Sequence, residues 1–445
     1  MANVNNSNCK KSSLSPPEHV KGMTSLDISK FHKRIKVPFV VVEKKHMESI
    51  SKLLKRYYLL LPKFNCVSDA NEENKNIILN PDLLSSFNDF SEEERSKLNS
   101  YGVSDINFKD ITLNFENYHR ESLLDAVLPD GVSVSSHNNV GHIIQMNLHD
   151  EHLPFKNIIG NIYLLTSPPH IKRVISKAQM IESEFRNFQM EVLAERDDAN
   201  SLGTVVEVCE DKTKFKFDFA NVYWNPRLSS ERKRLLRKIT KNHVLYDVFA
   251  GVGPFSIPVA KTKSCRVLAN DLNPECYKWL LENIKINKCG SNIQVFNLDG
   301  RDFIKNTLKN HLIQDWKSLI DKKEYSNIPT YHVAMNLPAI AVQFLDAFKN
   351  LFEAELIKFP DELPISLLLP HIHVYSFVKQ HEKGQNLKND VLKLIEDVLE
   401  CKLDVVEEIV EVLNVAPFKY TYRVSFVLPE NVLFASGSNK RRKLC

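Results

Sequence analysis

Between residues 243 and 377 five apolar segments alternate with helical ones, and no other feature constrains the chain as strongly. "HVLYDVFAG" reads as an apolar strand and "PFSIPVAKT" as a helix, and "CRVLANDLN" with "PECYKWLLENIKINKC" repeats the pair. "IQVFNLDG", "YHVAMNLP" and "PISLLLPHIHVYSF" supply three more strands. Apolar strands separated by helices form a doubly wound, mostly parallel sheet covered on both faces, so the expected fold class is α/β. The run "VLNVAPFKYTYRVSFVLP" reads as two strands around a short turn with no helix between them, an antiparallel hairpin ending the sheet.

The first strand runs into a turn carrying Gly251 and Gly253. Such a turn brings backbone close to a ligand, because glycine folds tightly and removes the side chain in the way. A dinucleotide fingerprint needs a third glycine two residues after the second; here Pro254, Phe255 and Ser256 follow. No Gly-Lys-Ser/Thr pair is present either, so the phosphate loop of nucleotide hydrolases is excluded. Asp271 ends the second strand, where a carboxylate can accept from ribose hydroxyls, and Asp299 ends the third, within reach of an adenine amine. Together these residues place a nucleoside without a pyrophosphate cradle across the carboxyl edge of the sheet. That points to S-adenosylmethionine rather than NAD. The fourth strand ends in Asn336-Leu337-Pro338, a proline-fixed turn that resembles the Asn-Pro-Pro element with which amide-recognising methyltransferases hold a planar nitrogen beside the methyl donor. The terminal hairpin likewise fits class I methyltransferases better than dehydrogenases.

The remaining 240 or so residues suggest two smaller α/β or α+β domains before the class I (Rossmann-like) one. Residues 1–30 are polar and read as disordered, 31–117 as one domain, 118–220 as a second, 221–430 as the sheet domain, and 431–445 as a basic tail ending "KRRKLC". "HKRIKVPFVVVEKKHMESISKLLKRYYLLLP" reads as a strand and an amphipathic helix, and the polar stretch around 68–80 as an inserted loop. "VGHIIQMNL" and "IIGNIYLL" read as β-rich, with a helical segment over "HIKRVISKAQMIESEF". The chain has 59 Lys and Arg against 55 Asp and Glu, a formal net charge of +4, which a nucleic-acid enzyme and an ordinary enzyme share. Eight cysteines without a Cys-x-x-Cys pair suggest free thiols in a reducing compartment, and neither a disulfide framework nor a metal site. No apolar run is long enough for a membrane helix.

Five segments occur in an order that is far more specific than any one of them. They are "VGHIIQMNLHDEHLPFKNIIG" at 140–160, "FRNFQMEVLAE" at 185–195, "FDFANVYWNPRLSSERKRL" at 217–235, "DVFAGVGPFSIPVA" at 247–260 and "MNLPAIAVQFLDAF" at 335–348. From about residue 30 to 430 the chain resembles the archaeal and eukaryotic tRNA (guanine-N1)-methyltransferases that modify guanosine 37, next to the anticodon. The resemblance implies an N-terminal domain that docks on the outer corner of tRNA, a middle domain and a catalytic class I domain. It implies that Arg186 contacts guanine O6, that Glu231 is the general base, and that Asn336 and Pro338 position the base edge. It implies S-adenosylmethionine contacts at Arg232, Gly251, Gly253, Asp271, Leu272, Asp299, Gly300 and Asn336, and substrate contacts at Tyr223 and Arg227. A monomer without metal, working in cytoplasm, nucleus or mitochondrial matrix and opening the route to wybutosine-type bases, is the family's pattern.

The chemistry is consistent with these roles. Guanine N1 carries a proton at neutral pH, so a carboxylate must take it before the nitrogen attacks. Charge then builds on O6, where an arginine stabilises the transition state more than the ground state. The basic run Arg232-Lys233-Arg234, with Arg237, Lys238 and Lys241, is a candidate for phosphate contacts, and the stacked target base is expected to flip into the pocket. The competing readings are a related class I enzyme acting on another base and a tRNA-binding module whose methyltransferase domain is a dead scaffold.

Overall fold

The structure, a computed structural model, describes residues 12–134, 137–180, 188–199, 202–263, 265–323, 325–352, 359–360, 362–382 and 384–434. It divides into two compact units, 1–178 with 190–201, and 179–189 with 202–445.

In the first unit Lys33–Glu43 is the spine of an antiparallel sheet ordered Val67–Asp69, Asn74–Ile78, Lys33–Glu43, Asn107–Leu113. Side chains alternate across a strand, so Ile35 and Val37 enter one apolar cluster with Phe31, Leu113 and Ile158. Val40 and Val42 enter another with Ile50, Leu54 and Leu98. The expected strand and helix after residue 32 are present, the helix being Met47–Leu54.

Four expectations for this unit are corrected. The stretch around 68–80 is not a loop but a hairpin, because Asn71 Oδ1 accepts from the N–H groups of Glu73 (3.0 Å) and Asn74 (2.8 Å) and turns the chain locally. Residues 12–30 are packed rather than disordered: Val20 is fully buried, Gly22 N–H donates to Val127 (2.7 Å) and Lys33 Nζ to Ser15 (2.8 Å). "IIGNIYLL" lies in a helix, Lys156–Leu165, and Arg173–Met180 is a strand parallel to Ile143–Met146. Short apolar runs do not distinguish helix from strand by periodicity; here Ile158, Ile159, Ile162 and Tyr163 bury one helical face, while Val174 and Ile175 fit a sheet. One cluster runs across the expected 117/118 boundary, joining Phe31, Val37 and Leu113 to Leu124, Ile144 and Ile158.

The second unit is built on a seven-stranded sheet ordered Ile293–Phe296, Arg266–Asn270, His243–Asp247, Thr330–Met335, His371–Lys379, Lys419–Val427, Val406–Ala416. The first five strands run parallel; Lys419–Val427 is antiparallel to both neighbours, closing the edge as the expected hairpin. One face carries Val244, Tyr246, Tyr331, Val333, Ile372, Val374, Val424 and Phe426 into the main core. The opposite face of the same strands carries His243, His332, His373, Tyr375, Arg423 and Ser425.

The ribbon of Val205–Glu210 and Thr213–Asp218, expected in the 118–220 domain, belongs to this second unit. Two asparagines of the helix Pro274–Asn287 hold it. Lys216 N–H donates to Asn283 Oδ1 (2.7 Å), Lys214 N–H to Asn287 Oδ1 (3.1 Å), and Asn287 Nδ2 to Lys214 O (2.6 Å). Asn283 Nδ2 also donates to Val252 O in the glycine turn (3.2 Å). Fully buried Asn283 therefore ties ribbon, helix and turn together. Asn283→Ala leaves a buried N–H and a buried carbonyl unpaired and is expected to destabilise the protein by about 1–3 kcal/mol, read as a lower urea midpoint.

Candidate active site

The glycine turn leaves the end of the first strand, and its two glycines do different things. Gly251 adopts φ +56°, and a Cβ there would meet no atom within 4 Å. The left-handed backbone favours glycine and the space in front of it is open. Gly253, at φ +93°, faces the other way: a Cβ would lie 2.6 Å from Leu280 Cδ1 and 2.7 Å from Ile257 Cδ1. It lets the turn seat on the helix Pro274–Asn287. Gly300 is likewise a packing glycine, since a Cβ would approach Phe344 Cε1 to 2.9 Å.

Carboxylates and an amide join the strand ends around this turn. Asp271 Oδ2 accepts from Gly251 N–H (2.7 Å) and Oδ1 from Asn273 N–H (2.9 Å). Burial raises the Asp271 carboxyl above its ordinary value, against these two hydrogen bonds. Leu272 beside it is 44% exposed, an apolar side chain left at the rim. Asp299 caps the next helix, its Oδ1 accepting from Arg301 N–H (2.8 Å). Asn270, buried between them, donates to Val248 O (3.1 Å) and Leu298 O (3.0 Å) and accepts from Leu298 N–H (2.9 Å), locking the first three strand ends in register. Asp247 closes the first strand with no exposure at all. Its Oδ2 accepts from Ser256 Oγ (2.5 Å), whereas Oδ1 is buried without a hydrogen-bond partner among the described residues.

On the polar face of the sheet lies Glu231. The helix Ser229–Lys238 buries Glu231, Arg232 and Leu235, and its caps Leu228 and Ile239 extend the same buried face. Glu231 Oε1 accepts from Arg423 Nε (2.5 Å) and Tyr375 Oη (3.0 Å), and Oε2 from Arg234 Nη1 (2.6 Å). Arg423 also donates from Nη2 to Glu408 (3.0 Å) and from Nη1 to Ser425 Oγ. From Ser425 a chain of imidazoles crosses the sheet: Oγ to His373 Nδ1 (2.8 Å), His373 Nε2 to His332 Nδ1 (2.9 Å), His332 Nε2 to His243 Nδ1 (2.9 Å). Burial, then neighbouring cations and imidazoles, lowers His332 to about 3 and holds His373 well below its ordinary range, so both are neutral at pH 7.

Residues 206–322 match a family model described as the TRM5/TYW2 methyltransferase domain, and residues 120–197 one described as the TYW2 N-terminal domain. The tRNA (guanine(37)-N(1))-methyltransferase of Xenopus tropicalis is 41% identical over 98% of this chain and 84% of its own length. This chain belongs to the tRNA (guanine(37)-N(1))-methyltransferase family. The human relative of that name is 39% identical over 95% of this chain and 79% of its own. Among solved structures, wild-type Trm5b from Pyrococcus abyssi aligns with a TM-score of 0.55 at 22% identity, over 88% of this chain and 98% of that one. A complex of aTrm5 with tRNALeu aligns at 0.57 and 23% identity, over 88% and 99%. These two alignments show that the fold is shared.

The residues singled out from the family pattern are placed unequally. Gly251, Asp271, Leu272 and Asp299 meet at the carboxyl edge of the sheet around the turn. Asn336 is half-buried at the end of the fourth strand, and among the described residues its side chain has no hydrogen-bond partner. Pro338 O accepts from Phe377 N–H (2.9 Å), two residues beyond Tyr375, which joins that turn to the strand that holds Glu231. Tyr223 is 49% exposed and its Oη accepts from Asn225 (3.2 Å); exposed Arg227 donates to Asn414 O (3.1 Å). Arg232 is held by protein partners. Its guanidinium is clamped by both oxygens of Glu210 (2.7 and 2.5 Å) and lies 4.8 Å from the Trp224 ring, pinning the ribbon to the helix. Of the basic run, Lys233, Arg234 and Lys238 are also ion-paired, with Asp211, Glu231 and Glu408. Arg186 lies outside the described residues.

Asp247, Asn270, Tyr375 and Arg423 were missed by sequence reasoning. A period-two signal was present: "HIHVYSF" and "YTYRVSF" alternate polar with apolar residues, which marks one polar face. Asp247 supplies a pH test. Burial, opposed by Ser256 and reinforced by the Asp271 charge, pushes its carboxyl up to about 7 from near 3.8. Between those values the folded family member holds a proton the unfolded chain has lost, so this group lowers stability as pH rises from about 4 to about 7, and adds no further change above. Asp247→Asn is expected to flatten that slope, measured as urea midpoints across the same pH range.

Proposed function

We propose that this protein transfers a methyl group from S-adenosylmethionine to N1 of guanosine 37 in tRNA. The observation that carries the reading is the meeting, in one sheet, of a glycine turn open at Gly251 and a carboxylate, Glu231, linked through Tyr375 to the strand that bonds the Asn336–Pro338 turn. An adenosyl ligand fits the turn. Gly251 leaves room for it, Asp271 and Asp299 retain lone pairs for ribose and adenine, Leu272 offers an apolar rim, and Asp247 Oδ1, unpaired among the described residues, is open to a hydrogen bond. When bound, S-adenosylmethionine supplies an electrophilic methyl carbon whose bond to sulfur breaks with both electrons going to sulfur.

The chain's own residues do the rest. Asn336, with an unspent amide, orients the guanine edge. Glu231 takes the N1 proton, making the nitrogen lone pair available for attack. Arg186 stabilises the charge that develops on O6 as that proton leaves. Arg237 and Lys241, exposed and outside the ion pairs of the helix, are the cations of the basic run best placed for phosphates. Residues 31–117 dock the tRNA, the enzyme acts as a monomer, and its product enters wybutosine-type modification. Cytoplasm, nucleus and mitochondrial matrix all suit this activity.

The test uses purified protein, tritiated S-adenosylmethionine and two unmodified tRNA transcripts, one with guanosine and one with adenosine at position 37, followed by nucleoside digestion. Label is expected as N1-methylguanosine with the first transcript alone. Label on another base favours a related modifying enzyme, and tight tRNA binding without label favours the dead scaffold. Arg186→Ala is expected to lower the rate about 10²–10³-fold with little change in tRNA KM, the loss typical of one oxyanion donor.

A further inference from the structure

The two oxygens of Glu231 sit in different surroundings. Oε1 points inward, to Arg423 and Tyr375, neither of which has any exposed surface. Arg423 is itself fixed from three directions: Tyr375 is its register partner across the strands, Glu408 takes one nitrogen, and Ser425 takes another at the end of the imidazole chain. Oε2 points outward. Its one donor among the described residues is Arg234, three residues along the same helix, whose side chain is 42% exposed.

We propose that Glu231 divides its work between these oxygens: Arg423 and Tyr375 position it through Oε1, while Arg234 masks Oε2 until an RNA phosphate draws that guanidinium away. The inference rests on Glu231 being the proton acceptor. Arg234 is the exchangeable partner because its guanidinium, 42% exposed, reaches water and can turn to another anion, and a guanidinium matches phosphate as well as carboxylate. Arg423 is the permanent partner, because it has no exposed surface and its other nitrogens are already held by Glu408 and Ser425. With Arg234 gone, the N1 proton passes to Oε2, the N1 lone pair attacks the methyl carbon, and the proton later leaves Oε2 for water. Unbound enzyme thus keeps its base covered, and only RNA seated along the helix uncovers it.

The charged and titratable groups facing Glu231 come from every neighbouring element. Arg234 and Lys238 lie on its own helix, Tyr375 and His373 on one strand, Arg423 on the next, Glu408 on the edge strand, and Asp247 ends the first strand. Of these, Arg234 is the cation that is both exposed and bound to Oε2, so its removal is the change that isolates the mask.

Rates are measured against pH with the G37 transcript, as kcat/KM and as the single-turnover rate at saturating tRNA. The first reports the free enzyme and the second the complex. In the wild type the acid limb of kcat/KM is expected at lower pH than that of the saturated rate. In Arg234→Ala the two limbs should coincide at the higher pH, and tRNA KM should rise about tenfold. Tyr375→Phe and Arg423→Lys should lower the saturated rate tenfold or more with tRNA KM unchanged. Limbs that coincide already in the wild type, or a separation that survives Arg234→Ala, overturn the mask. Full single-turnover rates in both Tyr375→Phe and Arg423→Lys overturn the positioning. Glu231→Gln with an undiminished rate overturns the base assignment itself, a result that needs none of the other variants.

Discussion

The buried pair of Arg423 and Glu231 is the interaction on which the catalytic face of the sheet depends. A guanidinium with no exposed surface sits 2.5 Å from a carboxylate that is 2% exposed, and neither can be left alone without destabilisation of about 3–5 kcal/mol. Arg423 projects from the next-to-last strand of the sheet, which is antiparallel to both its neighbours, and Glu231 from the helix before His243–Asp247. Their pairing therefore registers the two ends of this unit on each other. Glu408, Ser425 and the imidazole chain complete the coordination of Arg423, and the neutrality of His332 and His373 keeps further charge out of the same buried layer. The ion pair of Glu231 with Arg234 is of another kind, because that guanidinium is 42% exposed and open to exchange with another anion.

A second set of contacts prepares the ligand edge. Asn270 joins the ends of three strands, Asp271 holds the Gly251 amide, and Asn283 ties the same turn to the ribbon through Val252 and Lys216. Gly251 stays open because Gly253 lets the turn press against Leu280 and Ile257. Rigid backbone and asparagine side chains thus do the positioning, leaving the carboxylates their remaining lone pairs. Arg232 serves the same architecture, since its clamp on Glu210 and its contact with Trp224 seat the ribbon on the helix.

The sheet domain was legible in sequence to a degree the N-terminal half was not. Parallel strands buried on both faces announce themselves as apolar runs, and Gly251, Asp271, Asp299 and Asn336 fall at strand ends whose order topology dictates. In the first unit the same reading exchanged a helix for a strand, because "IIGNIYLL" and "RVISKAQM" are short and carry little period. The hairpin around 68–80 was hidden by its polarity; Asn71 makes it a turn, and pairing of Asn74–Ile78 with the central strand makes it structure.

By itself the sequence determined the element alternation, the ligand turn, the terminal hairpin and the family, since each rests on local periodicity or on ordered motifs. Tertiary structure alone decided what the charged side chains do. Arg232 and Glu231 are adjacent on one helical face, yet one is committed to Glu210 and the other to Arg423, 192 residues away along the chain. No local pattern encodes that difference. A buried charge takes its role from the partners that the fold brings to it, 22 residues away for Arg232 and 192 for Glu231.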